Sequence, residues 1–234
     1  MITKPILLAV VTAAALSAQQ PPNGDEIIRK SMEAQGGEKL KAVKTIQFTG
    51  KAYIGGQVEA PVVYRAKRPL RYRTELQITG HPMTEGFDGA VKWISDGITP
   101  SKASEETSKT AADNADPIGS PLFNYRDKGN TVEFAGREKN EGQDCYKFNV
   151  KLKSGNTGMV YIDQKSYLTF KIITKAGSLE AESKLNDYRK VDQVLIPFAN
   201  FIRINGQDVM MFKYDKAELN VPMDDALFTI PAKK

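Results

Sequence analysis

One cysteine and one histidine are the whole supply, in 234 residues, of the side chains that most often ligate metals or run nucleophilic catalysis. Cys145 has no partner in the chain, so no disulfide framework is available, and within Asp144-Cys145-Tyr146-Lys147-Phe148 it reads as a small strand residue. His81 sits in Thr79-Gly80-His81-Pro82, a turn signature, and any metal site or Ser-His pair would rest on it alone. HExxH, CxxC, GxSxG, GxGxxG and P-loop sequences are all missing. Asp224-Asp225 and the acidic stretch from Asp113 to Asp116 read as turn and helix-end residues rather than as an acid/base pair. Catalysis needs several convergent groups, and none is visible. The expectation is a protein that is not an enzyme and uses no cofactor and no metal.

Charge of one sign is also scarce. Thirty-three basic residues face 28 acidic ones, with no run of five like charges, which argues against a nucleic-acid surface. Weak attraction to anionic lipid headgroups remains allowed. The apolar run from Pro5 to Leu16 is shorter than the roughly 20 residues that a bilayer span needs. Preceded by Lys4 and followed by Ser17-Ala18, it reads as a secretory signal peptide cleaved after Ala18, or after Ser17 or Ala15. Residues 19–234 then form a single exported domain of +4 net charge. No cysteine follows the apolar run, so no N-terminal lipid anchor is expected.

What is present is alternation. Asn23 can cap a helix with Asp25 and Glu26 in its first turn and Ile27, Ile28, Ser31 and Met32 on one face, stopped by Gly36-Gly37. A second helical turn runs from Glu38 to Val43. From Ile46 the period is two, in many short segments near 46–54, 57–66, 69–79, 83–88, 90–95, 131–135, 143–153, 157–163, 167–176, 178–188, 194–204 and 207–219. Such spacing marks an antiparallel β body. Gly55-Gly56, Lys153-Ser154-Gly155-Asn156 and Asn205-Gly206 supply its tight turns. Residues 101–129 break the pattern: a polar helix over 103–114, then Ile118, Leu122, Phe123 and Tyr125, which can pack down. This stretch reads as a cover across the sheet or as a solvated excursion.

Tyr64, Ala66, Arg68, Leu70, Tyr72, Thr74, Leu76 and Ile78 share one face if pairing continues through Pro69. Arg65, Lys67, Arg71, Arg73 and Glu75 take the other face, toward water. Arg68 is thus the single charge on an apolar face, where an unpaired guanidinium costs several kcal/mol. It holds the head of a ligand, or pairs with an internal carboxylate, or snorkels to the rim. Ile46, Phe48, Ile54, Val58, Val62, Tyr146, Phe148, Val150, Leu152, Leu168, Phe170, Ile172, Met210, Phe212 and Tyr214 extend the apolar side. Two packed sheets or one highly curved sheet satisfy this pattern, and the curved sheet would leave a cavity. Met83, Met159, Met210 and Met211 can line an adaptable wall or fill core gaps.

Several short pieces, in order, are similar to the periplasmic lipoprotein carriers, the outer-membrane lipoprotein-sorting proteins and their relatives. They are Gly36-Gly37-Glu38-Lys39-Leu40, Lys67-Arg68-Pro69-Leu70-Arg71-Tyr72-Arg73, Phe87-Asp88-Gly89 with Trp93, Tyr161-Ile162-Asp163, Asp187 to Pro197, and Asp224 to Pro231. The resemblance implies a mainly β fold, an incomplete, strongly curved antiparallel barrel covered by helices, with an apolar cavity for acyl chains. It also implies that Arg68, at the family's cavity arginine, governs opening. Tyr72 matches an aromatic of the same strand, and Trp93 walls the cavity or packs beneath it. Arg71, Arg73 and Thr74 depart from the carrier pattern. The reading that follows is a monomeric periplasmic carrier for lipoprotein acyl chains or another lipid, with Arg68, Leu70, Tyr72, Trp93 and Phe123 as site residues and 101–125 as a moving cover. A membrane-bound donor or acceptor protein is the expected partner. A regulatory or structural interaction protein using the same curved sheet is the other reading.

Overall fold

The computed structural model describes residues 23–117 and 120–233. The signal-peptide reading and Ile118 therefore lie outside the described residues. Helix α1 (Gly24–Gln35) begins where the Asn23 side chain accepts the Asp25 amide at 3.0 Å, and buries Ile27, Ile28, Ser31 and Gln35. It ends at Gly36, whose φ of 129° suits glycine, and a Cβ there would lie 2.8 Å from the Gln193 carbonyl. Helix α2 (Glu38–Ala42) follows and buries Leu40.

Thirteen strands then form one antiparallel sheet that is not closed into a barrel. They are β1 (Thr45–Ile54), β2 (Val58–Lys67), β3 (Arg71–Ile78), β4 (His81–Phe87), β5 (Lys92–Ser95), β6 (Pro100–Lys102), β7 (Thr131–Asn140), β8 (Gln143–Lys151), β9 (Thr157–Asp163), β10 (Thr169–Ala176), β11 (Leu179–Val191), β12 (Val194–Ile204) and β13 (Gln207–Leu219). Their spatial order runs β6-β5-β4-β3-β2-β1-β13-β12-β11-β10-β9-β8-β7. The first and last strands meet at the centre. The two edges, β6 and β7, are neighbours in sequence, so the segment that joins them crosses the opening between the edges. It carries helix α3 (Glu105–Asp113), which Ser104 caps by accepting the Thr107 amide.

Gly50 marks one place where the sheet bends. Its pairing with β13 shifts by one residue, and a Cβ on it would fall 2.2 Å from the Lys213 carbonyl oxygen. The concave face carries two apolar clusters. One joins Ile27, Ile28 and Leu122 to Phe148, Val150, Val160 and Ile162; the other joins Leu40, Val43 and Phe123 to Ile46, Phe48, Ile196 and Phe198. The helices and the cover thus occupy much of the face that the sequence left for a cavity.

Three details differ from the alternation read along the chain. β2 and β3 form a hairpin rather than a continuous strand, yet Ala66 pairs with Tyr72 and Tyr64 with Thr74, so even-numbered residues still share the concave face. Phe170 falls in a bulge between Thr169 and Lys171 and turns outward to Tyr161, 6.2 Å between ring centres. The four methionines do not make one wall, because Met159 packs with Cys145 and Tyr161 on the outer face while Met83 is 48% exposed.

Candidate functional site

The basic parity of β2 and β3 is not in water. It faces the C-terminal strap, residues 220–231, on the convex side. Lys67 Nζ meets Asp225 Oδ1 at 2.6 Å and Arg71 Nη2 meets Asp225 Oδ2 at 3.3 Å, while Arg73 Nη1 donates to the Leu227 carbonyl at 3.0 Å. Phe228 ends this strap fully buried against Trp93, whose indole N–H donates to the Phe228 carbonyl at 2.8 Å. Register explains the side: Trp93 pairs with Gly86, Gly86 with Arg73 and Arg73 with Arg65. Gly86 leaves room for the indole, since a Cβ there would lie 2.4 Å from the ring. Trp93 therefore packs on the convex side, away from the concave cluster.

The other four chosen residues come together. Arg68 leaves the end of β2, its guanidinium 4.7 Å from the centre of the Phe123 ring. Its Nη1 donates to the Lys41 carbonyl at the C-terminal end of α2, where a cation is favoured. Nη2 lies 3.7 Å from Asp116 Oδ1, an ion pair too long for a hydrogen bond. Nε and Nη2 are buried without a hydrogen-bond partner among the described residues. Burial pulls the Arg68 pKa down, and the Asp116 charge works against that shift. Asp116, 7% exposed, also meets Lys128 Nζ at 3.2 Å, and Lys128 donates to the Ser120 carbonyl at 3.1 Å. Burial lowers the Lys128 pKa as well. So the lone charge of the concave face has its internal carboxylate, and that carboxylate sits on the cover.

Leu70 and Tyr72 pack with Phe87, Ala111 and Ala115, beneath α3. Around them lies a floor of rings: Phe48 stacks on Tyr214 at 4.4 Å, Phe212 on Tyr214 at 5.9 Å and Tyr72 on Phe87 at 6.1 Å. Tyr64 joins them 6.2 Å from Phe48. Sequence reasoning singled out Tyr72 but not Tyr64 and Tyr214 as site residues, although the same alternation had placed all three on one side.

The cover is held at three places. Ser108 Oγ accepts the Lys92 amide at 3.0 Å, tying α3 to the β5 side. Asp113 accepts from Ser154 and Asn156 of the β8–β9 turn at 2.6 and 3.0 Å, tying it to the other half of the sheet. Tyr125 and Arg126 reach Asp25 of α1 at 2.9 Å. Its apolar anchors are Leu122 and Phe123, worth about 1.5–3 kcal/mol each when fully buried. A groove of about 550 Å³ runs between α1, α2 and residues 122–127, with Ile28, Met32 and Leu122 in it and Arg29, Glu33 and Lys41 among its charged residues.

No family model matches the sequence, and no curated protein matches it. Solved structures do match. A LolA superfamily protein from Nitrosomonas europaea is 13% identical, with a TM-score of 0.57 over 88% of this chain and 96% of that one. A putative outer membrane lipoprotein-sorting protein domain from Vibrio parahaemolyticus is 12% identical, with a TM-score of 0.59 over 87% and 94%. A protein from Desulfovibrio piger is 10% identical, with a TM-score of 0.57 over 88% and 96%. The chain has the fold of these three structures.

Proposed function

From a fold shared with lipoprotein-sorting proteins, we propose that this chain is an exported, periplasmic binding protein for an acyl chain, from a lipoprotein or another lipid, and that it works by reversible burial rather than by bond chemistry. The observation that carries the reading is the state of Arg68. A guanidinium with two buried nitrogens that have no hydrogen-bond partner among the described residues stands beside an aromatic floor, under a segment anchored by Leu122 and Phe123 and tied by a few polar contacts. Arg68 takes the polar head of the ligand while Leu70, Tyr72 and Phe123 meet its chain, and Trp93 supports the sheet from behind.

Each methylene moved from water is worth about 0.8 kcal/mol, so one long chain repays the displacement of Leu122 and Phe123. The ligand enters as residues 105–117 and 120–127 swing away from the α1 side, where a groove already runs beside their contacts with α1. Arg68 couples the two events, because a head group that satisfies it competes with Asp116 for the same guanidinium.

Native mass spectrometry of the gently purified mature chain tests this. A co-purified acyl lipid, retained by the wild type and lost from Arg68→Ala, is the expected result. An empty protein that takes up no acyl lipid, yet captures one envelope protein, would make it an interaction module instead.

A further inference from the structure

Tyr64, Tyr72 and Tyr214 face the concave side from three strands, and all three are only half-buried. Neighbouring rings surround them, with Phe48 between Tyr64 and Tyr214 and with Phe87 against Tyr72. A tyrosine in such surroundings ordinarily gives its hydroxyl a partner. Tyr188 does so, donating to the Thr169 carbonyl at 2.6 Å. On the concave floor none of the three hydroxyls has a hydrogen-bond partner among the described residues, and none is among the side-chain atoms shut off from solvent, so each donor is open to the space in front of the sheet.

The chemistry of a matching ligand group follows from the charges nearby. Burial drives all three phenols well above their ordinary pKa, with Asp116 and Glu85 adding to the rise at Tyr64 and Glu85 adding to it at Tyr72. The phenols therefore keep their protons and offer them. Glu85 is itself paired with Lys92 at 3.0 Å, and Asp116 with Lys128, so neither carboxylate calls for a ligand cation. What fits is a neutral acceptor with little hydration of its own to lose: an ester or amide carbonyl on an otherwise apolar chain.

We infer that the Tyr64, Tyr72 and Tyr214 hydroxyls form a carbonyl-reading site, which selects chains attached through an ester or amide over chains attached through an ether. The inference rests on the acyl-chain reading and narrows it to a ligand class. The rings supply apolar area to either kind of chain, whereas the hydroxyls distinguish them.

Displacement of a fluorescent fatty-acyl probe by dioctanoylglycerol and by its dioctyl ether analogue tests it on the mature chain, alongside Tyr64→Phe, Tyr72→Phe and Tyr214→Phe. A net hydrogen bond is worth about fivefold in affinity. The wild type is expected to prefer the ester by about fivefold for each hydroxyl engaged. Each Phe variant keeps its ring and should narrow that preference by losing ester affinity, with an unchanged far-ultraviolet circular dichroism spectrum showing that the variant is folded. Equal ester and ether affinity in the wild type overturns the carbonyl site and leaves the acyl-chain reading standing, as do Phe variants that weaken both ligands equally. If the folded wild type binds neither ligand nor the probe, the acyl-chain reading itself falls, and this inference with it.

Discussion

Arg68 lies over the Phe123 ring, 4.7 Å from its centre, so the charge of the concave face and the deepest apolar anchor of the cover form one contact. Replacing Arg68 with Met keeps the packing and removes the charge. Asp116 retains Lys128, so no carboxylate is stranded. A cation over a ring contributes about 0.5–2 kcal/mol, and a partly exposed ion pair adds less than about 1 kcal/mol. Removing two buried nitrogens without a hydrogen-bond partner among the described residues offsets much of that loss, so Arg68→Met should change stability in urea by less than about 1 kcal/mol. Amide exchange should quicken across 105–113 and 120–127 while β1 and β13 keep their protection. Unchanged exchange in the cover would mean that Arg68 does not hold it.

Trp93 offers an internal reporter, being the single tryptophan and fully buried. Gly86→Ala places a Cβ 2.4 Å from its ring, so the indole must move or the strands must part. Overpacking of this kind costs about 1–3 kcal/mol. The variant should unfold at lower urea concentration than the wild type, and its native emission should shift to the red as the indole loses the Phe228 carbonyl. Native emission identical to the wild type would contradict the placement of Trp93 beneath the strap.

Why the strap was missed, and the sheet was not, is a matter of range. Alternation is local, so the twelve segments read from Ile46 onward correspond to strands, and only the three-residue β6 was passed over. The side that Tyr72 takes was legible for the same reason, because the hairpin register keeps Tyr64, Ala66, Tyr72 and Thr74 together. The fate of the opposite parity was not local. Lys67, Arg71 and Arg73 looked solvated because partners of theirs lie more than 140 residues on, in a tail whose Asp225 and Phe228 complement a basic stripe with a gap at Gly86, whereas Arg65 is met by Gln47 and Glu75 within the sheet. Phe170 failed differently: a bulge reverses parity, and no glycine or proline announces this one.

Four of the nine tyrosines, Tyr64, Tyr72, Tyr188 and Tyr214, have hydroxyls whose pKa is driven far up by burial. Their folded pKa exceeds the unfolded value near 10, so the stability that they contribute is complete below pH 10 and is lost as pH rises through the folded values. Titration followed by ultraviolet absorbance of tyrosinate should leave these four un-ionised in the native protein near pH 11. They should appear together at a higher pH, coincident with loss of far-ultraviolet circular dichroism. Full ionisation of all nine in a still-folded protein near pH 11 would show that the concave floor is wet.

Asp25 makes the opposite titration a test of the cover. Its carboxylate accepts from the Tyr125 hydroxyl and from Arg126, and these two contacts hold its pKa below the ordinary aspartate value. A depressed folded pKa contributes stability above the unfolded value near 3.9, lost as pH falls through the folded one. The carboxylate is more than half exposed, so solvent screening limits the clasp to less than about 1 kcal/mol, far too little to unfold the sheet. Acid should therefore detach residues 122–127 from α1 locally. Tyr125 ring resonances should show a transition with its midpoint below pH 3.9, absent in Asp25→Asn, while strand resonances stay native. A transition common to the whole sheet would mean that the cover and the sheet unfold as one. A local one means that this clasp is shut at neutral pH and that acid opens it without disturbing the sheet.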